Sequence, residues 1–230
     1  MKSLFIAGTD TDVGKTCVTA ALITMIKKLE KNVGFMKPFA TGHKQNSEFK
    51  SSDVESLASI SQINDPEELL NPYFFSIPAS PFTAAKKLNI DIKLSVIHSA
   101  YRKLPSMHDC MIVEGIGGVM TPIKSDYTVC NLIKELNLST IIVCDSKIGT
   151  VNHTLMTCKM CELYKIPIIG IIINSVTKNG YDLIELKNNL EELTGLPVLG
   201  SIQHMDNFQL QKFIEIFSQF LHRLLPPQKN

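Results

Sequence analysis

The sequence predicts an α/β domain in which a mostly parallel, doubly wound sheet carries helices on both faces. Six short apolar runs rich in Ile and Val do not alternate with polar residues, which is typical of strands that are covered on both faces. Longer amphipathic segments separate these runs, and a glycine-bounded loop follows the first of them. The repeated alternation of strand and helix indicates a parallel sheet whose ligands gather at the carboxyl ends of its strands.

Strands and helices alternate from the N-terminus onward. The predicted strands cover residues 3–7, 33–37, 110–114, 140–145, 168–174 and 197–200. The predicted helices cover residues 15–29, 53–61, 94–104, 129–136, 152–164, 181–194 and 208–224. In the last helix, Phe208, Phe213, Phe217 and Phe220 recur at mostly helical spacing, which predicts a stripe that faces the core rather than a membrane or a cofactor.

One stretch, residues 41–88, departs from this alternation. Gly, Ser and Pro are frequent in it and helical periodicity is brief, so we expect long loops that serve a ligand or a partner. The 230 residues, 44% of them hydrophobic, suffice for one core. We therefore expect one domain over residues 1–225 and a disordered tail at residues 226–230.

Charge and hydropathy bear on the partners. The chain holds 23 Lys and Arg against 22 Asp and Glu, a net charge of +1. This balance argues against a protein that binds nucleic acid or an anionic membrane, since both need clustered basic residues, and it favours small-molecule partners. The N-terminal apolar run is too short for a signal peptide and the run at residues 166–173 is too short to span a bilayer, so we expect a cytoplasmic protein.

The six cysteines are scattered through apolar segments, which is typical of reduced thiols in a core. Cys158 and Cys161 have the spacing of half a zinc site, but no second pair of ligands lies near them in the sequence. We interpret them as helix-packing residues rather than metal ligands.

The loop from Gly8 to Thr16 reads GTDTDVGKT and joins the first strand to the first helix. This is the context of a phosphate-binding loop, in which backbone N–H groups and a helix N-terminus surround phosphate oxygens. Gly14 lets the backbone approach the phosphates, Lys15 supplies a positive charge and Thr16 offers a hydroxyl to Mg²⁺. The pattern is a variant, because Thr9 stands where the standard loop has glycine. We predict that the loop binds a nucleotide.

Two aspartates in the same loop, Asp10 and Asp12, need another explanation, because a carboxylate beside a triphosphate repels it. We interpret them as loop-shaping, metal-linked or substrate-facing groups. An amine substrate is one partner that would suit them.

Two acids and a lysine are candidates for the reacting centre. Glu114 ends an apolar strand, where an ionised carboxylate needs a cation or hydrogen bonds. Asp53 lies at a predicted helix start and is either a second Mg²⁺ ligand or an acid of the N-cap or first turn. Lys37 stands at a strand end, either beside an anionic partner or in solvent.

Two further segments supply backbone groups. The run GIGG at residues 115–118 lets the backbone approach a ligand, although this pattern alone is weak. Gly149, Thr150, Val151 and Asn152 begin a predicted helix, whose free N–H groups suit a carboxylate or phosphate, as they do at every helix start.

A series of motifs resembles the dethiobiotin synthetase family, in order, from Ser3 to about Gly200. They are GTDTDVGKT, KPFATG from Lys37, SSD ending at Asp53, NPYFFSIPASP from Asn71, VEGIGG from Val113 with TPI after it, GTVNH from Gly149 and IIINSV from Ile171. Together these motifs are highly specific, whereas singly only the first and VEGIGG are strong.

The resemblance implies a single P-loop α/β domain that works as a homodimer, with the substrate site at the subunit interface. It implies a ligase that closes the ureido ring of dethiobiotin from 7,8-diaminononanoate, CO₂ and ATP with Mg²⁺. One amine captures CO₂ as a carbamate, which accepts the γ-phosphoryl group to give a carbamic-phosphoric anhydride. The other amine then closes the ring and expels phosphate.

The resemblance also implies roles for individual residues. Thr16, Asp53 and Glu114 would bind Mg²⁺, and Lys15, Lys37 and Thr11 would serve catalysis. We expect the nucleotide to contact Asp12, Val13, Gly14, Lys15, Thr16, Cys17, Glu114, Gly117 and Asn174, the last of these at adenine. The substrate would contact Thr11, Lys37, Thr41 and, across the dimer interface, Gly149, Thr150, Val151 and Asn152. We add Asp12 to the surroundings of the positively charged diamine.

Two positions depart from the family pattern. Phe82 stands where histidine is frequent, and Gln203 stands where proline is common near adenine. These departures bear on base selectivity and affinity rather than on the reaction. His204, the next residue, is either a surface residue or a ligand.

Two other protein classes are the alternatives. Partition and septum-placing ATPases typically carry a lysine near the start of this loop, where the chain has Thr9, Asp10 and Thr11, and they need a basic or membrane-binding surface. A glutamine-dependent amidoligase would need an extra domain with a catalytic cysteine, for which 230 residues leave no room.

Overall fold

A computed structural model describes residues 3–42 and 49–220 of the chain. The predicted end of the last helix at 221–224, the predicted tail at 226–230 and part of the predicted loop region, 43–48, lie outside the described residues. The strands are β1 (Leu4–Gly8), β2 (Val33–Met36), β3 (Phe39–Thr41), β4 (Tyr73–Phe75), β5 (Cys110–Gly118), β6 (Pro122–Lys124), β7 (Tyr127–Thr128), β8 (Ser139–Cys144), β9 (Ile168–Asn174) and β10 (Val198–Ile202).

The six predicted strands form one sheet with the order β10-β9-β8-β1-β5-β2, and each neighbouring pair in it is parallel. The predicted fold class is therefore confirmed. Every residue of β1 and β2 is buried, which explains why their sequences do not alternate. Since β1 lies between β5 and β8, the loop that follows it emerges at the middle of the sheet.

The helices are α1 (Lys15–Lys27), α2 (Ser52–Ser61), α3 (Glu67–Leu70), α4 (Pro81–Leu88), α5 (Leu94–Lys103), α6 (Val129–Leu136), α7 (Thr150–Leu163), α8 (Leu183–Thr194) and α9 (Leu210–Ser218), with a 3₁₀ turn at Leu104–Ser106. A helix is present in each predicted helical segment. α1 packs on α2 and α9, and α7 packs on α8.

The core lies on both faces of the sheet. In β8, Ile141 and Val143 belong to the large apolar cluster, whereas Ile142 and Cys144 belong to a second cluster completed by α8. Successive side chains of a strand point to opposite faces, so both faces of β8 are covered. This double coverage is the arrangement that the apolar runs predict.

The expectation of long loops over residues 41–88 is wrong for its described part. α3, β4 and α4 lie there in addition to the predicted α2, and β4 pairs in parallel with β3. Three-residue strands are too short to show periodicity, which explains why the sequence did not indicate them. The start of α4 carries a readable signal, because Ser80 accepts a hydrogen bond from the Thr83 N–H and Pro81 begins the helix.

The C-terminal helix begins at Leu210, two residues later than predicted. Phe213, Phe217 and Phe220 are buried, as the stripe predicts, but Phe208 precedes the helix and is 40% exposed. Phe208 packs edge-on against Phe213, with 5.1 Å between ring centroids. The predicted core stripe is thus confirmed for three of its four members.

All six cysteines lie in the described residues and are free thiols. Cys158 and Cys161 lie on α7, and Cys161 is buried in the large apolar cluster. Across residues 3–42 and 49–220, no helix combines the length and the apolar character that a bilayer-spanning segment requires.

Candidate active site

The candidate site is a cavity of about 560 Å³ at the carboxyl ends of the central strands. Its walls come from the loop after β1, the segment after β2, the later part of β5 and the segments after β9 and β10. The predicted site residues on its walls are Thr11, Asp12, Gly14, Lys15, Thr16, Cys17, Lys37, Thr41, Asp53, Glu114, Gly117 and Asn174. The side chain of Val13 is buried in the core, so a nucleotide contact there would use its backbone and stays a prediction.

The loop backbone is fixed by its contact with β9. Gly14 precedes α1 with φ of 84°, in the left-handed region that favours glycine. A Cβ atom at Gly14 would overlap the side-chain amide of Asn174. That amide donates a hydrogen bond to the Val13 carbonyl at 3.0 Å. Asn174 therefore helps to hold the loop, in addition to the adenine contact that was predicted for it.

Lys15 is almost completely buried at the start of α1. Its ammonium donates a hydrogen bond to the Asp10 carbonyl at 2.8 Å. Burial, with a contribution from the charge of Lys37, lowers the pKa of Lys15 to about 8, although Glu114, Asp12 and Asp10 act in the opposite direction. An anionic ligand in the cavity would compensate for the lost hydration of the ammonium, raise the pKa of Lys15 and favour its charged form.

The strand register explains why Lys37 and Glu114 meet. β2 and β5 are parallel and pair Met36 with Val113. The residues that follow these two, Lys37 and Glu114, therefore lie beside each other. The expectation that Glu114 ends its strand is wrong, because β5 continues to Gly118 beside β1. Glu114 instead lies one residue beyond the end of β2, where its carboxylate faces the cavity.

Four predicted residues form one polar cluster. The Lys37 ammonium contacts Glu114 Oε1 at 2.7 Å and also contacts Asp53 Oδ2. The Thr16 hydroxyl donates to the same Glu114 oxygen at 2.8 Å. Burial alone would lower the pKa of Lys37, but the charges of Glu114 and Asp53 outweigh it and raise the pKa above its ordinary value.

Asp53 belongs to the first turn of α2, and Ser51 is the N-cap residue, since its hydroxyl accepts from the Val54 N–H. The Asp53 carboxylate therefore faces the cavity instead of capping its own helix. Thr16, Asp53 and Glu114 come from three distant parts of the chain; Asp53 and Glu114 both contact Lys37, and Thr16 contacts Glu114.

The donor set fits Mg²⁺. Glu114 is 1% exposed, and its second oxygen, Oε2, is buried without a hydrogen-bond partner among the described residues. A buried carboxylate oxygen in this state needs a cation or a donor. Over the described ranges no group of three or more His, Cys, Asp and Glu is placed to hold a metal. Mg²⁺ with a nucleotide requires fewer, since one or two carboxylates, a hydroxyl, phosphate oxygens and water complete its shell.

The backbone of Lys37 is fixed by residues more than thirty positions later. Its N–H donates to the Leu70 carbonyl at 2.7 Å, and its own carbonyl accepts from the Asn71 side-chain amide at 2.6 Å. The same amide donates to the Tyr73 carbonyl at 3.2 Å, and the Tyr73 N–H donates to the Pro38 carbonyl. Sequence reasoning assigned no role to Asn71; the signal available was its place in a quoted motif.

Asp10 shapes the loop, which is one of the three interpretations given for it. Its carboxylate accepts from the Thr11 N–H at 2.7 Å and lies 3.3 Å from the Lys147 ammonium. Burial alone would raise the pKa of Asp10, whereas the Thr11 N–H and Lys147 hold it below its ordinary value. Asp10 also lines a second cavity, of about 670 Å³, with Thr121 and His153. Asp12 is exposed and lies on the wall of the first cavity.

The predicted substrate contacts Gly149, Thr150, Val151 and Asn152 line neither of these two cavities. Gly149 precedes α7 with φ of 94°. Thr150 already uses both of its polar hydrogens, because its N–H donates to the Lys147 carbonyl and its hydroxyl to the Asp145 carbonyl at 2.7 Å. A substrate contact from this helix start depends on a second subunit and stays a prediction.

Asp145, at the end of β8, is a structural residue that sequence reasoning did not single out. Its carboxylate accepts from the N–H groups of Ser146, Val176 and Thr177 and from the Thr177 hydroxyl. Burial alone would raise the pKa of Asp145, but these donors hold it below its ordinary value. The carboxylate thereby joins the loop after β8 to the loop after β9 beside the cavity.

The departures from the family pattern lie in different places. Gln203 and His204 line the first cavity, as does Val176. His204 Nδ1 lies 2.8 Å from the Val176 carbonyl, which joins the segments after β9 and β10. Phe82 lies on α4 and lines a separate shallow cavity with Ile92 and Ile123.

Comparison with solved structures supports the fold. The chain superposes on a ParA family ATPase from Chlorobium tepidum TLS with a TM-score of 0.58 and 14% identity, over 96% of this chain and all of that one. It superposes on the septum site-determining protein MinD from Pyrococcus horikoshii OT3, complexed with Mg-ADP, with a TM-score of 0.57 and 12% identity over 95% and 96% of the two chains. At these identities the likeness shows the P-loop fold alone.

Comparison of sequences identifies the family. A family profile described as an AAA domain matches residues 2–211. The chain is 53% identical to the ATP-dependent dethiobiotin synthetase BioD of Nitrosopumilus maritimus, over 95% of this chain and 96% of that protein. It is 35% identical to the enzyme of the same name from Bacillus subtilis strain 168, over 90% and 89% of the two chains. With this likeness over nearly its whole length, the chain belongs to the ATP-dependent dethiobiotin synthetase family.

Proposed function

We propose that this protein closes the ureido ring of dethiobiotin from 7,8-diaminononanoate and CO₂, with ATP consumed to ADP and phosphate. The observation that carries the proposal is the cluster in which Lys37 contacts both Asp53 and Glu114, with the Thr16 hydroxyl on the same Glu114 oxygen. A glycine-bounded loop and a second buried lysine, Lys15, complete this end of the cavity.

The chemistry needs two anions to react with each other. A substrate amine adds to CO₂ and loses a proton to give a carbamate. A carbamate oxygen then bonds to the γ-phosphorus as the bond to ADP breaks, and the second amine displaces phosphate from the carbonyl carbon while losing its proton. Because carbamate and triphosphate repel each other, positive charge must lie between them.

The residues of this chain meet that need by position and charge. The loop N–H groups and Lys15 would hold the phosphates, and Lys37 would lie between the γ-phosphoryl group and the carbamate. Thr16, Asp53 and Glu114 would hold Mg²⁺, which when bound offsets charge on the phosphates. Thr11 and Thr41 line the cavity and would bind the substrate, with Asp12 near its amines. No side chain has to act as a covalent nucleophile.

We further propose a homodimer that completes the substrate site. Large apolar side chains are exposed just before α7 and within it, since Ile148 is 78% and Met156 52% exposed. A second subunit packed there would cover this apolar surface and bring a helix start toward the substrate carboxylate. We expect the enzyme to act in the cytoplasm, where ATP is available, without a nucleic-acid or membrane partner.

The test is ATP turnover by the purified protein. We expect slow ADP release alone and a sharp rise only when diaminononanoate and bicarbonate are both present, with dethiobiotin formed in equal amount. Turnover that rises instead with DNA or liposomes would contradict the proposal and favour the ATPase switches that share the fold.

A further inference from the structure

The Lys37 ammonium contacts Asp53 and Glu114, the two carboxylates that we propose as ligands of a divalent cation. Its side chain is 7% exposed, and its ammonium contacts Glu114 Oε1 at 2.7 Å and Asp53 Oδ2. Glu114 itself is 1% exposed. A single buried ammonium thus joins both carboxylates, and it is the same lysine that the proposed reaction needs at the reacting phosphate.

The bonds of Glu114 are unequal. Oε1 accepts from both Lys37 and the Thr16 hydroxyl, whereas Oε2 is buried and has no hydrogen-bond partner in the part of the chain that the structure describes. This unpartnered oxygen belongs to a residue on the wall of the cavity. A divalent cation would satisfy it, because hard oxygen ligands are what Mg²⁺ and Mn²⁺ prefer.

Charge makes simultaneous occupancy unfavourable. The charges of the cluster formed by Lys37, Asp53 and Glu114 sum to −1, and the neighbouring Lys15 ammonium brings the sum to zero, whereas Asp12, which also acts on Lys15, is exposed to solvent. A divalent cation added beside the Lys37 ammonium would leave two uncompensated positive charges in a largely buried site. The ion and the ammonium therefore compete for the same carboxylates.

We propose that the Asp53–Glu114 pair binds either the Lys37 ammonium or a divalent cation, so that arrival of the metal with its nucleotide releases Lys37 toward the anions in the cavity. This inference rests on the proposed function and adds an order of events to it. The lysine is held charged in the free enzyme and becomes available to the phosphate only after the metal is in place.

Binding of Mn²⁺ alone to the nucleotide-free protein, measured by electron paramagnetic resonance, tests the competition. We expect weak binding to the wild type and at least about tenfold tighter binding to Lys37→Met, in which the carboxylates lose their internal partner. Lys37→Arg keeps the charge and should bind Mn²⁺ as weakly as the wild type. Addition of Glu114→Gln to Lys37→Met should remove the tight binding.

Lys15→Met is the matched control, because it removes the same charge from the same cavity while its ammonium bonds the Asp10 carbonyl and not the acids. It should tighten Mn²⁺ binding much less than Lys37→Met. If both variants bound Mn²⁺ equally more tightly than the wild type, the loss of any positive charge in the cavity would explain the result. That outcome would overturn the inference. Unchanged binding in Lys37→Met would overturn it as well.

A second measurement uses the unaltered protein, in case Lys37→Met does not fold. The ion-paired Lys37 ammonium, observed by ¹⁵N NMR and assigned with Lys37→Arg, should shift when Mg²⁺ and a non-hydrolysable ATP analogue are added together. The analogue without Mg²⁺ should leave it in place, and a shift with the analogue alone would overturn the inference. The proposed function fails separately, if diaminononanoate and bicarbonate do not stimulate ADP release.

Discussion

The Thr16 hydroxyl donates a hydrogen bond to Glu114 Oε1 at 2.8 Å, although 98 positions separate the two residues in the chain. The contact joins the start of α1 to the middle of β5 and places the phosphate-binding loop beside a buried carboxylate. In P-loop enzymes a hydroxyl at this position and a carboxylate share a Mg²⁺ ion. A single substitution of Glu114 therefore tests whether its carboxylate binds the metal.

Glu114→Gln keeps the shape of the side chain and removes its charge. We expect divalent-dependent ADP release to fall roughly a hundredfold or more, because the Mg²⁺ that would offset charge on the phosphates in the transition state loses one of its proposed ligands. A titration of turnover with Mg²⁺ should show that excess metal restores little of it. A variant that retained most of its turnover at ordinary Mg²⁺ would contradict the assignment of Glu114 to the metal.

Lys37→Ala should separate binding from turnover. We expect the affinity for ATP measured without a divalent cation to change little, since the loop and Lys15 remain, while turnover with Mg²⁺ falls by about a thousandfold or more. Calorimetric ATP titration and steady-state ADP release measure the two effects. Lys124→Ala is the control, because Lys124 is also paired with an aspartate, at 3.9 Å from Asp91, and lies on β6. Substantial activity in Lys37→Ala would place the lysine away from the reacting phosphate.

Gly14→Ala should weaken both the fold and nucleotide binding. The substitution imposes a side chain at φ of 84° and forces it against the Asn174 amide. Gly195→Ala is the matched control, because Gly195 has φ of 68° and, its two chain neighbours aside, no described residue has a heavy atom within 4 Å of the added Cβ. We expect Gly195→Ala to cost about 1–2 kcal/mol of unfolding free energy and to leave ATP affinity unchanged. Gly14→Ala should cost more in urea unfolding and should lower ATP affinity at least about tenfold.

Asp145→Ala should destabilise the protein in a pH-dependent way. The carboxylate accepts four hydrogen bonds and its pKa lies below its ordinary value, so the folded state binds fewer protons than the unfolded state in mildly acidic solution. Its stabilising contribution is therefore complete above the unfolded pKa of about 4 and is lost as the pH falls through the folded value. We expect Asp145→Ala to cost about 3 kcal/mol at pH 7, from the loss of hydrogen bonds to a charged group.

Urea unfolding at a series of pH values measures this difference, which should shrink below pH 4, about where the unfolded aspartate is protonated. Asp91→Ala is the comparison, because the Asp91 side chain is 74% exposed and should contribute little at any pH. A cost for Asp145→Ala that stayed constant down to pH 2 would show that the carboxylate charge is not what stabilises the loops.

The fold was predictable because the apolar composition of six strands indicates that they are buried. β1 and β2 are apolar throughout, as strands covered on both faces must be. β3 and β4 were not predictable, because three residues show no period and their pairing joins segments more than thirty positions apart. The resulting error over residues 41–88 shows that frequent Gly, Ser and Pro do not exclude short regular elements.

The candidate site was predictable as a list of residues but not as a set of contacts. Lys37, Asp53 and Glu114 were each indicated by position, and the common edge of a parallel sheet predicted that they gather. Their direct bonds depend on the pairing of Met36 with Val113, which composition does not reveal. Asn71 and Asp145 were missed for the same reason, since their partners are fixed only by the folded chain.

Two hydrogen bonds to the Lys37 backbone, one between its N–H and the Leu70 carbonyl and one between its carbonyl and the Asn71 side-chain amide, join the two ends of the segment from Lys37 to Asn71. The segment starts at Lys37 and ends beside it at Leu70 and Asn71. The hydrogen bonds that join its two ends do not depend on the number of residues between them. Because Asp53 on α2 lies inside this segment and contacts the Lys37 ammonium, a turn there can change in length without displacing the ammonium only if α2 keeps its place. The length of the turns in this segment and the placement of the Lys37 backbone are therefore separate properties of the fold.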